Sequence, residues 1–393
     1  MKTLSLSDVR VESQPDVHPL WHVLGEETYQ AYFQAVNELE VISAGEKKIK
    51  ILYTPLHGTG RNLVPRLLEL ARFVNVDCVE EQMIADGNFP TVTSPNPEDA
   101  ESFSLAFKKA KDGIYDLILA TDPDGDRVGI AVWNGERYVL LSGNQVGVLL
   151  TDYLLTIKAK EDLSDSVVIK TVVSTEMIEP IAKKYGVSVE NTLIGFKYIG
   201  DRIGRLEQEG KRFLFGFEES YGYLAGTFIR DKDAVLACLL IAEMANFYKN
   251  NGLNLEERIY ELFEEHGYYL ETLRSFNFGS SSESEKSKNI LAYLLERSLT
   301  EIAGKKIRFV RNFAVGEEHD LLTDQVRRMD FPRENIVQWE TVEGDRITLR
   351  PSGTEPKMKR YVGVVATEQS EAESKLVAFE EHIDSLVFEG LNQ

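Results

Sequence analysis

The sequence has 393 residues and a net charge of −20, from 64 acidic against 44 basic side chains. This length suggests two to four domains, and a field of that sign excludes nucleic acid and anionic membranes as expected partners. Two cysteines, Cys78 and Cys238, exclude a disulfide framework and favour a reducing, cytoplasmic location. Residues 1–15 lack the basic and apolar regions of a signal peptide, and the longest apolar stretch, residues 234–242, predicts a buried helix because it is too short to span a bilayer.

Strands and helices alternate along the middle of the chain. A first set is predicted at 49–53 (strand), 60–73 (helix), 76–79 (strand), 98–111 (helix) and 117–120 (strand). A second set begins with a helix after Gly143 and continues at 167–171 (strand), 176–185 (helix), 187–193 (strand), 198–209 (helix) and 213–217 (strand). This alternation indicates largely parallel sheets, and the similar order of the two sets suggests an internal repeat.

The remaining segments set the domain boundaries. Residues 279–284 have the composition of a solvated linker, and beyond them we expect a helix, a few strands and a last amphipathic helix at about 370–387. The predicted fold class is therefore α/β: two similar three-layer domains with mixed or parallel sheets, followed by a smaller α+β domain. The predicted bounds are 42–143, 144–278 and 285–393, with residues 1–41 as a leading segment that forms no domain by itself.

The first motif with chemical meaning follows a buried strand. Asp122, Asp124 and Asp126 alternate with Pro123 and Gly125, and Arg127 comes next. Mg²⁺ prefers oxygen ligands, and a tight turn can bring residues i, i+2 and i+4 onto one ion. The glycine lets the backbone close around the ion, and the arginine can offset charge or reach a phosphate.

Three other interpretations of this motif were weighed. The simplest is a solvated acidic turn at the surface that has no function. A calcium EF-hand loop fails, because its sixth and twelfth positions would be Arg127 and Trp133 instead of Gly and Glu. A haloacid-dehalogenase-type phosphatase carries Asp-x-Asp-Gly-Thr after a strand; Asp122 to Gly125 comes close, but Asp126 replaces the Thr.

A second motif, Gly216 to Tyr223, also stands at a strand end. Glu218 and Ser220 are two residues apart in a loop bounded by glycines, an arrangement that suits the vicinal hydroxyls of a sugar. Alone the signal is weak, since glutamate pairs are commonly solvated. Lys197 and Lys232 lie near this loop in the sequence; such lysines are either surface ion pairs or part of the site.

The third motif, Arg350 to Lys357, predicts a phosphate clamp. Arg350 offers a planar fork of donors, and Ser352 and Thr354 add hydroxyls. Gly353 exposes backbone amides that can form an anion nest, and Lys357 adds a flanking charge.

Together these loops resemble one family, the α-D-phosphohexomutases, and within it the phosphoglucomutase and phosphopentomutase branch. The likeness runs from about residue 47 to the C-terminus and includes the stretch Thr54 to Thr59 as well as the three motifs, in the family's order. It implies that Asp122, Asp124 and Asp126 bind Mg²⁺ and that Glu218 and Ser220 hold sugar hydroxyls. By the same resemblance, the residues that hold the phosphate not being transferred are Arg350, Ser352, Gly353 and Thr354, and Arg127 and Lys232 lie at the reacting centre.

Two departures from the family pattern matter. The family's first domain carries Thr-Ala-Ser-His-Asn-Pro, whose serine is phosphorylated, and no such stretch occurs here. Ser94 is rejected as its equivalent, because Ser94 to Pro97 resembles a second-domain stretch of such mutases and lacks the His. Ile194 stands where relatives usually have Thr before Gly-Phe-Lys, so one sugar contact is expected to be lost.

The resemblance implies an isomerase that interconverts sugar 1-phosphate and 6-phosphate, or 5-phosphate for pentoses, with a sugar 1,6-bisphosphate as intermediate and activator. Without the phosphoserine we expect this chain alone to be inactive. Its partner would be a sugar phosphate, and the phosphoserine domain is either absent or supplied by a separate chain. The alternatives are a non-catalytic protein that binds sugar phosphates and the metal-dependent phosphatase.

Overall fold

A computed structural model describes residue 11 and residues 13–111, 114–278, 284–351 and 357–391. The predicted phosphate-loop residues Ser352, Gly353 and Thr354 lie outside this range, as does most of the predicted linker. The chain divides into two compact units, Met1–Ile42 and Ser43–Gln393. The described part of the first unit contains one α-helix, α1 (Glu26–Asn37). Among the described residues, no helix combines the length and the apolar character needed to cross a bilayer.

The first sheet contains three parallel strands and two antiparallel ones. Its strands are β1 (Ile51–Thr54), β2 (Val76–Cys78), β3 (Leu117–Thr121), β4 (Val128–Trp133) and β5 (Tyr138–Leu141), in the order β2-β1-β3-β4-β5. β1, β2 and β3 run parallel, and β4 and β5 return antiparallel. The helices of this part are α2 (Gly60–Leu70) and α3 (Ser104–Lys109). β1 and β3 are fully buried, which explains their continuous apolar runs.

The second sheet repeats this topology. Its strands are β6 (Ser166–Thr171), β7 (Ser188–Thr192), β8 (Arg212–Glu218) and β9 (Gly222–Ala225), in the order β7-β6-β8-β9, with only β9 antiparallel. The helices are α4 (Gly143–Ile157), α5 (Ile178–Lys184), α6 (Phe196–Gln208), α7 (Ala234–Asn250) and α8 (Leu255–His266). The first four strands of each sheet thus share order and direction, as the predicted internal repeat requires. The predicted metal motif, Asp122 to Arg127, forms the turn between β3 and β4, which we call the metal turn. The predicted sugar motif, Gly216 to Tyr223, spans the turn between β8 and β9, which we call the sugar turn. The two turns therefore occupy equivalent positions in the repeat.

The third sheet is larger than expected. Its strands are β10 (Tyr268–Asn277), β11 (Glu301–Ile302), β12 (Lys305–Asn312), β13 (Glu317–Asp320), β14 (Gln325–Arg328), β15 (Val337–Thr341), β16 (Arg346–Pro351) and β17 (Lys357–Ala366). The pairing is antiparallel throughout, in the order β10-β17-β16-β15-β12-β13-β14, with β11 beside β12. Helices α9 (Ser284–Glu296) and α10 (Gln369–Leu391) pack on it over a core that includes Trp339 and Phe379.

These elements confirm the predicted fold class and correct some details. The apolar stretch at 234–242 is the buried start of α7, where the Asp233 carboxylate accepts the N–H groups of Val235 and Leu236 at 2.9 and 3.0 Å. The helix predicted at 98–111 is present but shorter and divided in two. A 3₁₀ turn, Ala100–Phe103, precedes the shorter α3, because the Ser102 hydroxyl bonds the Asp99 carbonyl and competes with helix formation. The predicted domain boundaries stay predictions.

Candidate functional site

The turn between β3 and β4 places three carboxylates around one point. One oxygen from each of Asp122, Asp124 and Asp126 lies within 4.8 Å of the others. Asp122 shapes the turn, since its Oδ1 accepts the N–H groups of Asp126 and Arg127 at 3.0 and 2.9 Å. Gly125 closes it at φ +76°, a conformation that favours glycine.

The electrostatics of this turn favour a cation. Burial, together with the charges of Asp126 and Asp124, raises the pKa of Asp122 to about 7 against the opposing hydrogen bond from Arg127. Asp126 Oδ1 is buried and has no hydrogen-bond partner among the described residues. Arg127 Nε lies 3.6 Å from this oxygen, close enough for an ion pair but without a hydrogen bond. Hard oxygen ligands and a carboxylate oxygen that accepts no hydrogen bond fit Mg²⁺, which would relieve the repulsion.

Two cations border the acidic turn. Lys232 Nζ donates to Asp126 Oδ2 at 2.5 Å, and the guanidinium of Arg127 donates to Glu98 at 3.1 Å. Burial opposes the charge of Lys232, but the bond to Asp126 and the charges of Asp231 and Glu218 outweigh it and raise its pKa. Both predicted catalytic cations therefore lie beside the predicted metal ligands.

The turn between β8 and β9 meets the metal turn directly. The Val128 N–H donates to the Tyr221 carbonyl at 3.1 Å, which joins the two turns through their backbones. The Lys232 side chain crosses Gly222, where a Cβ would lie 2.4 Å from the lysine Cδ. A side chain at Gly222 would displace Lys232 from Asp126, so glycine is required here by close approach.

Glu218 and Glu219 face different surroundings. Glu218 Oε1 accepts the Gly195 N–H at 2.8 Å, and burial, with the charge of Glu219 second, raises its pKa to about 7. Glu219 accepts the Thr171 and Ser174 hydroxyls at 3.0 and 3.4 Å instead, and burial raises its pKa. The two consecutive glutamates thus serve two purposes: Glu218 faces the Gly195 loop, while Glu219 anchors the turn to the end of β6.

The C-terminal sheet approaches the same region. Tyr361 of β17 and Ser220 line one cavity of about 320 Å³, and burial raises the pKa of Tyr361 against the opposing influence of the nearby Arg350 guanidinium. Lys197 is mostly exposed and lies 3.9 Å from Glu334. The described part of the phosphate motif therefore reaches the neighbourhood of the sugar motif through Tyr361, while the positions of its central residues are not described.

Comparison with known proteins identifies the family. Two family models match: Phosphoglucomutase/phosphomannomutase alpha/beta/alpha domain II over residues 30–135 and domain III over residues 142–266. A phosphoglucomutase of Staphylococcus epidermidis is 35% identical over 346 residues, which are 88% of this chain. The chain belongs to the α-D-phosphohexomutase family. It spans only 62% of the length of that Staphylococcus relative.

Solved structures show the same fold at low sequence identity. The phosphoglucomutase parafusin from Paramecium, in its open form, has a TM-score of 0.64 at 17% identity and covers 93% of this chain and 62% of its own. An N-acetylphosphoglucosamine mutase of Aspergillus fumigatus, solved with glucose 1,6-bisphosphate, has a TM-score of 0.52 at 15% identity and covers 94% and 65%. These likenesses establish the phosphohexomutase fold for nearly the whole chain.

Ile194, the departure from the phosphohexomutase pattern, has a structural partner that the sequence did not reveal. Its side chain is 7% exposed and packs in an apolar cluster with Phe313, Ile336 and Tyr361 of the C-terminal part. The cluster joins the end of β7 to the third sheet beside the predicted sugar site. Ile194 therefore contributes an apolar contact between the two sheets at a position where a Thr would place a hydroxyl.

We expect Ile194→Thr to destabilise the chain by about 2 kcal/mol, because it removes buried methylene contacts and buries a hydroxyl among apolar side chains. Urea unfolding measures this loss, and hydrogen exchange at Phe313 and Ile336 tests whether the contact between the sheets loosens. Ile194→Val is the matched control, with an expected cost of about 1 kcal/mol or less. Equal stability of the Thr and Val variants would contradict the apolar role.

Proposed function

We propose that this chain supplies the Mg²⁺, sugar and distal-phosphate sites of a phosphoglucomutase-type enzyme. The reaction would interconvert sugar 1-phosphate and 6-phosphate, or 5-phosphate for pentoses, through a bisphosphate. The observation that carries the proposal is the junction of the two turns. Val128 and Tyr221 join their backbones, and Lys232 links them by packing on Gly222 of one turn and bonding Asp126 of the other.

Each group has a role that its surroundings support. Asp122, Asp124 and Asp126 would hold Mg²⁺, which neutralises charge on a transferring phosphoryl group. Lys232 and Arg127 would bind phosphoryl oxygens beside it, since each can exchange a protein carboxylate for a substrate anion. Phosphoryl transfer needs mainly such positioning and charge stabilisation.

The sugar would lie between the other two motifs. The Glu218 carboxylate and the Ser220 hydroxyl would bind neighbouring sugar hydroxyls, and Arg350 with Lys357 would bind the phosphate at the far end, together with Ser352, Gly353 and Thr354. A sugar held only by hydroxyls and a terminal phosphate can bind in two orientations, as conversion between its two monophosphates requires. The Aspergillus structure with glucose 1,6-bisphosphate supports a bisphosphate as ligand.

The phosphoserine would come from outside these 393 residues. The relatives are longer than the part that this chain matches, and the sequence contains no Thr-Ala-Ser-His-Asn-Pro stretch. A serine loop would complete the site, either in the same polypeptide or in a separate chain. We therefore expect this chain alone to bind sugar phosphate and Mg²⁺ without catalysing the interconversion.

The test combines a binding and an activity measurement. Calorimetry with glucose 1,6-bisphosphate should detect binding that depends on Mg²⁺ and weakens at least about 10-fold in Arg350→Ala. The purified chain should not convert glucose 1-phosphate to glucose 6-phosphate, and a phosphorylated serine domain from the Staphylococcus relative should restore conversion. Turnover by the chain alone would refute the expected division of the site. Binding without restored turnover would favour a non-catalytic sugar-phosphate-binding protein.

The geometry speaks against the phosphatase alternative. A phosphatase of that type needs the Asp122 carboxylate as a free nucleophile, whereas here this side chain is 8% exposed and accepts two backbone N–H groups. Release of phosphate from a generic phosphomonoester that Asp122→Asn abolishes would instead support the phosphatase.

A further inference from the structure

The loop between β1 and α2, residues 54–59, has no role in the function described so far, yet it forms a wall against the metal turn. A Cβ on Gly58 would lie 2.3 Å from Pro123 Cα and 2.6 Å from its carbonyl oxygen, so the two backbones are in direct contact. The Thr59 N–H donates to the Pro123 carbonyl at 2.8 Å. The metal turn between Asp122 and Asp124 therefore rests on this loop.

The loop has an unusual backbone that needs external support. Leu56 and His57 are consecutive non-glycine residues with φ of +46° and +67°. Such conformations persist only where surrounding contacts over-determine them, and they cluster at functional sites. The contacts that hold this pair are therefore contacts that set the shape of the wall behind the metal turn.

The His57 ring supplies those contacts. The side chain is 4% exposed, and its Nδ1 and Nε2 lie 2.8 Å from the Ile84 carbonyl and from Thr91 Oγ1. A carbonyl only accepts, so Nδ1 carries the proton and donates to it. In the neutral ring, Nε2 must then accept the Thr91 hydroxyl. The backbone N–H of His57 also donates to the Gln82 carbonyl at 2.9 Å.

The same direction of donation continues back to the start of the loop. Thr91 Oγ1 accepts from the Gln82 amide at 3.0 Å, and Gln82 Oε1 accepts from the Thr54 hydroxyl at 2.6 Å. Thr54 Oγ1 in turn accepts the Leu56 N–H at 3.2 Å. Each donor in this network meets an acceptor, so the network is fully satisfied and stabilises the observed arrangement of the loop.

In the second sheet, the turn after the third strand is also supported from the end of the first strand, here through side-chain hydrogen bonds. The segment after β6, the counterpart of β1, carries Ser174, which together with Thr171 bonds Glu219 of the sugar turn. In both halves of the repeat, a loop after the first strand supports the turn after the third strand. Because both halves of the repeat have this contact, we interpret the loop as a support for the turn and not only as part of the packed interior.

From these contacts we infer that His57 is a positioning residue for the metal site: it fixes loop 54–59, which holds Asp122 and Asp124 at the spacing that a divalent cation needs. The inference rests on the proposed Mg²⁺ site and goes beyond it by assigning a residue that is not a ligand. Mutation of groups that hydrogen-bond metal ligands typically lowers metal affinity by 10- to 100-fold, and His57 would act one contact further out, through the loop that touches Pro123.

The test uses Mn²⁺ as a spectroscopic substitute for Mg²⁺ and the full chain. In His57→Ala the Mn²⁺ dissociation constant, measured by electron paramagnetic resonance, should rise about 10-fold or more. Thr91→Val removes the hydroxyl that meets both Nε2 and the Gln82 amide but leaves the bond from Nδ1 to Ile84, so it should raise the dissociation constant less. His57→Asn should recover much of the affinity, because Asn tolerates positive φ and retains a donor near the Nδ1 position.

Two controls keep the result interpretable. Phe103→Leu, in the core of the same sheet and without a part in the hydrogen-bond network of the loop, should lower the melting temperature and leave the Mn²⁺ dissociation constant within about twofold. Hydrogen exchange of the Thr59 and Gly125 N–H groups reports the wall and the turn without metal, and should quicken in His57→Ala alone. Unchanged exchange and affinity in His57→Ala would overturn the inference. A wild-type chain that binds no Mn²⁺ would instead refute the proposed metal site, and the exchange data would still test the support of the turn.

Discussion

Asp122→Asn is expected to raise the stability of the metal-free chain and to abolish its stabilisation by Mg²⁺. The Asn side chain keeps an oxygen that can accept the N–H groups of Asp126 and Arg127, so the turn should retain its shape. Removal of one of three mutually repelling carboxylates should stabilise the metal-free protein at pH 8 by about 1–2 kcal/mol. Loss of a charged ligand should weaken Mg²⁺ binding by at least about 100-fold.

Thermal unfolding with and without Mg²⁺ measures both effects in one experiment. A ligand at 100 times its dissociation constant stabilises the native state by about 2.7 kcal/mol, so the wild type should overtake the variant as Mg²⁺ is added. Asp165→Asn is the matched control at an exposed site and should leave the Mg²⁺ response unchanged. If Asp122→Asn and the wild type gain equally from Mg²⁺, the three carboxylates do not form the cation site.

The sequence was sufficient to identify those parts of the site whose residues lie close to one another in the chain. Asp122, Asp124 and Asp126 depend on one turn, so their alternation and the preceding apolar strand were sufficient to predict their grouping. The position of Lys232 beside Asp126 was expected only through the family resemblance, because it depends on how β9 and α7 meet the first sheet.

Other features depend on tertiary contacts that no local pattern records. The support by His57 arises from contacts with Ile84 and Thr91, more than 25 residues away, and the anchor role of Glu219 from the end of β6. The eight-stranded C-terminal sheet was underestimated because β13 and β14 are short and polar, so they lack the alternation that marks a half-buried strand. The pattern of Ser and Glu residues indicated the sugar turn. Only the folded structure shows that Glu218, and not Glu219, faces the Gly195 loop.

Glu218→Gln is expected to stabilise the protein and to weaken its binding of sugar phosphate. Glu218 is 4% exposed, and burial raises the pKa of its carboxyl to about 7 from the ordinary 4.5. Between these two values the native state holds more protons than the unfolded state, so stability falls as the pH rises from about 4.5 to 7, and the full cost remains above pH 7. The Gln variant removes this cost and keeps an oxygen for the Gly195 N–H. It should therefore gain about 1–3 kcal/mol over the wild type at pH 8 and almost nothing near pH 4.5.

The same substitution should weaken binding of glucose 1,6-bisphosphate by about 10- to 100-fold at pH 8, because hydrogen bonds to a charged acceptor contribute about 1.5–3 kcal/mol. Urea unfolding across the pH range and calorimetry together measure the two effects. Ser220→Ala is the control: it should weaken binding by removing a hydroxyl, while its stability relative to the wild type stays independent of pH. A stability difference between Glu218→Gln and the wild type that is constant from pH 4.5 to 8 would mean that Glu218 is not held buried and charged. The sugar turn would then lack the buried, charged carboxylate that is proposed to accept a hydrogen bond from a sugar hydroxyl.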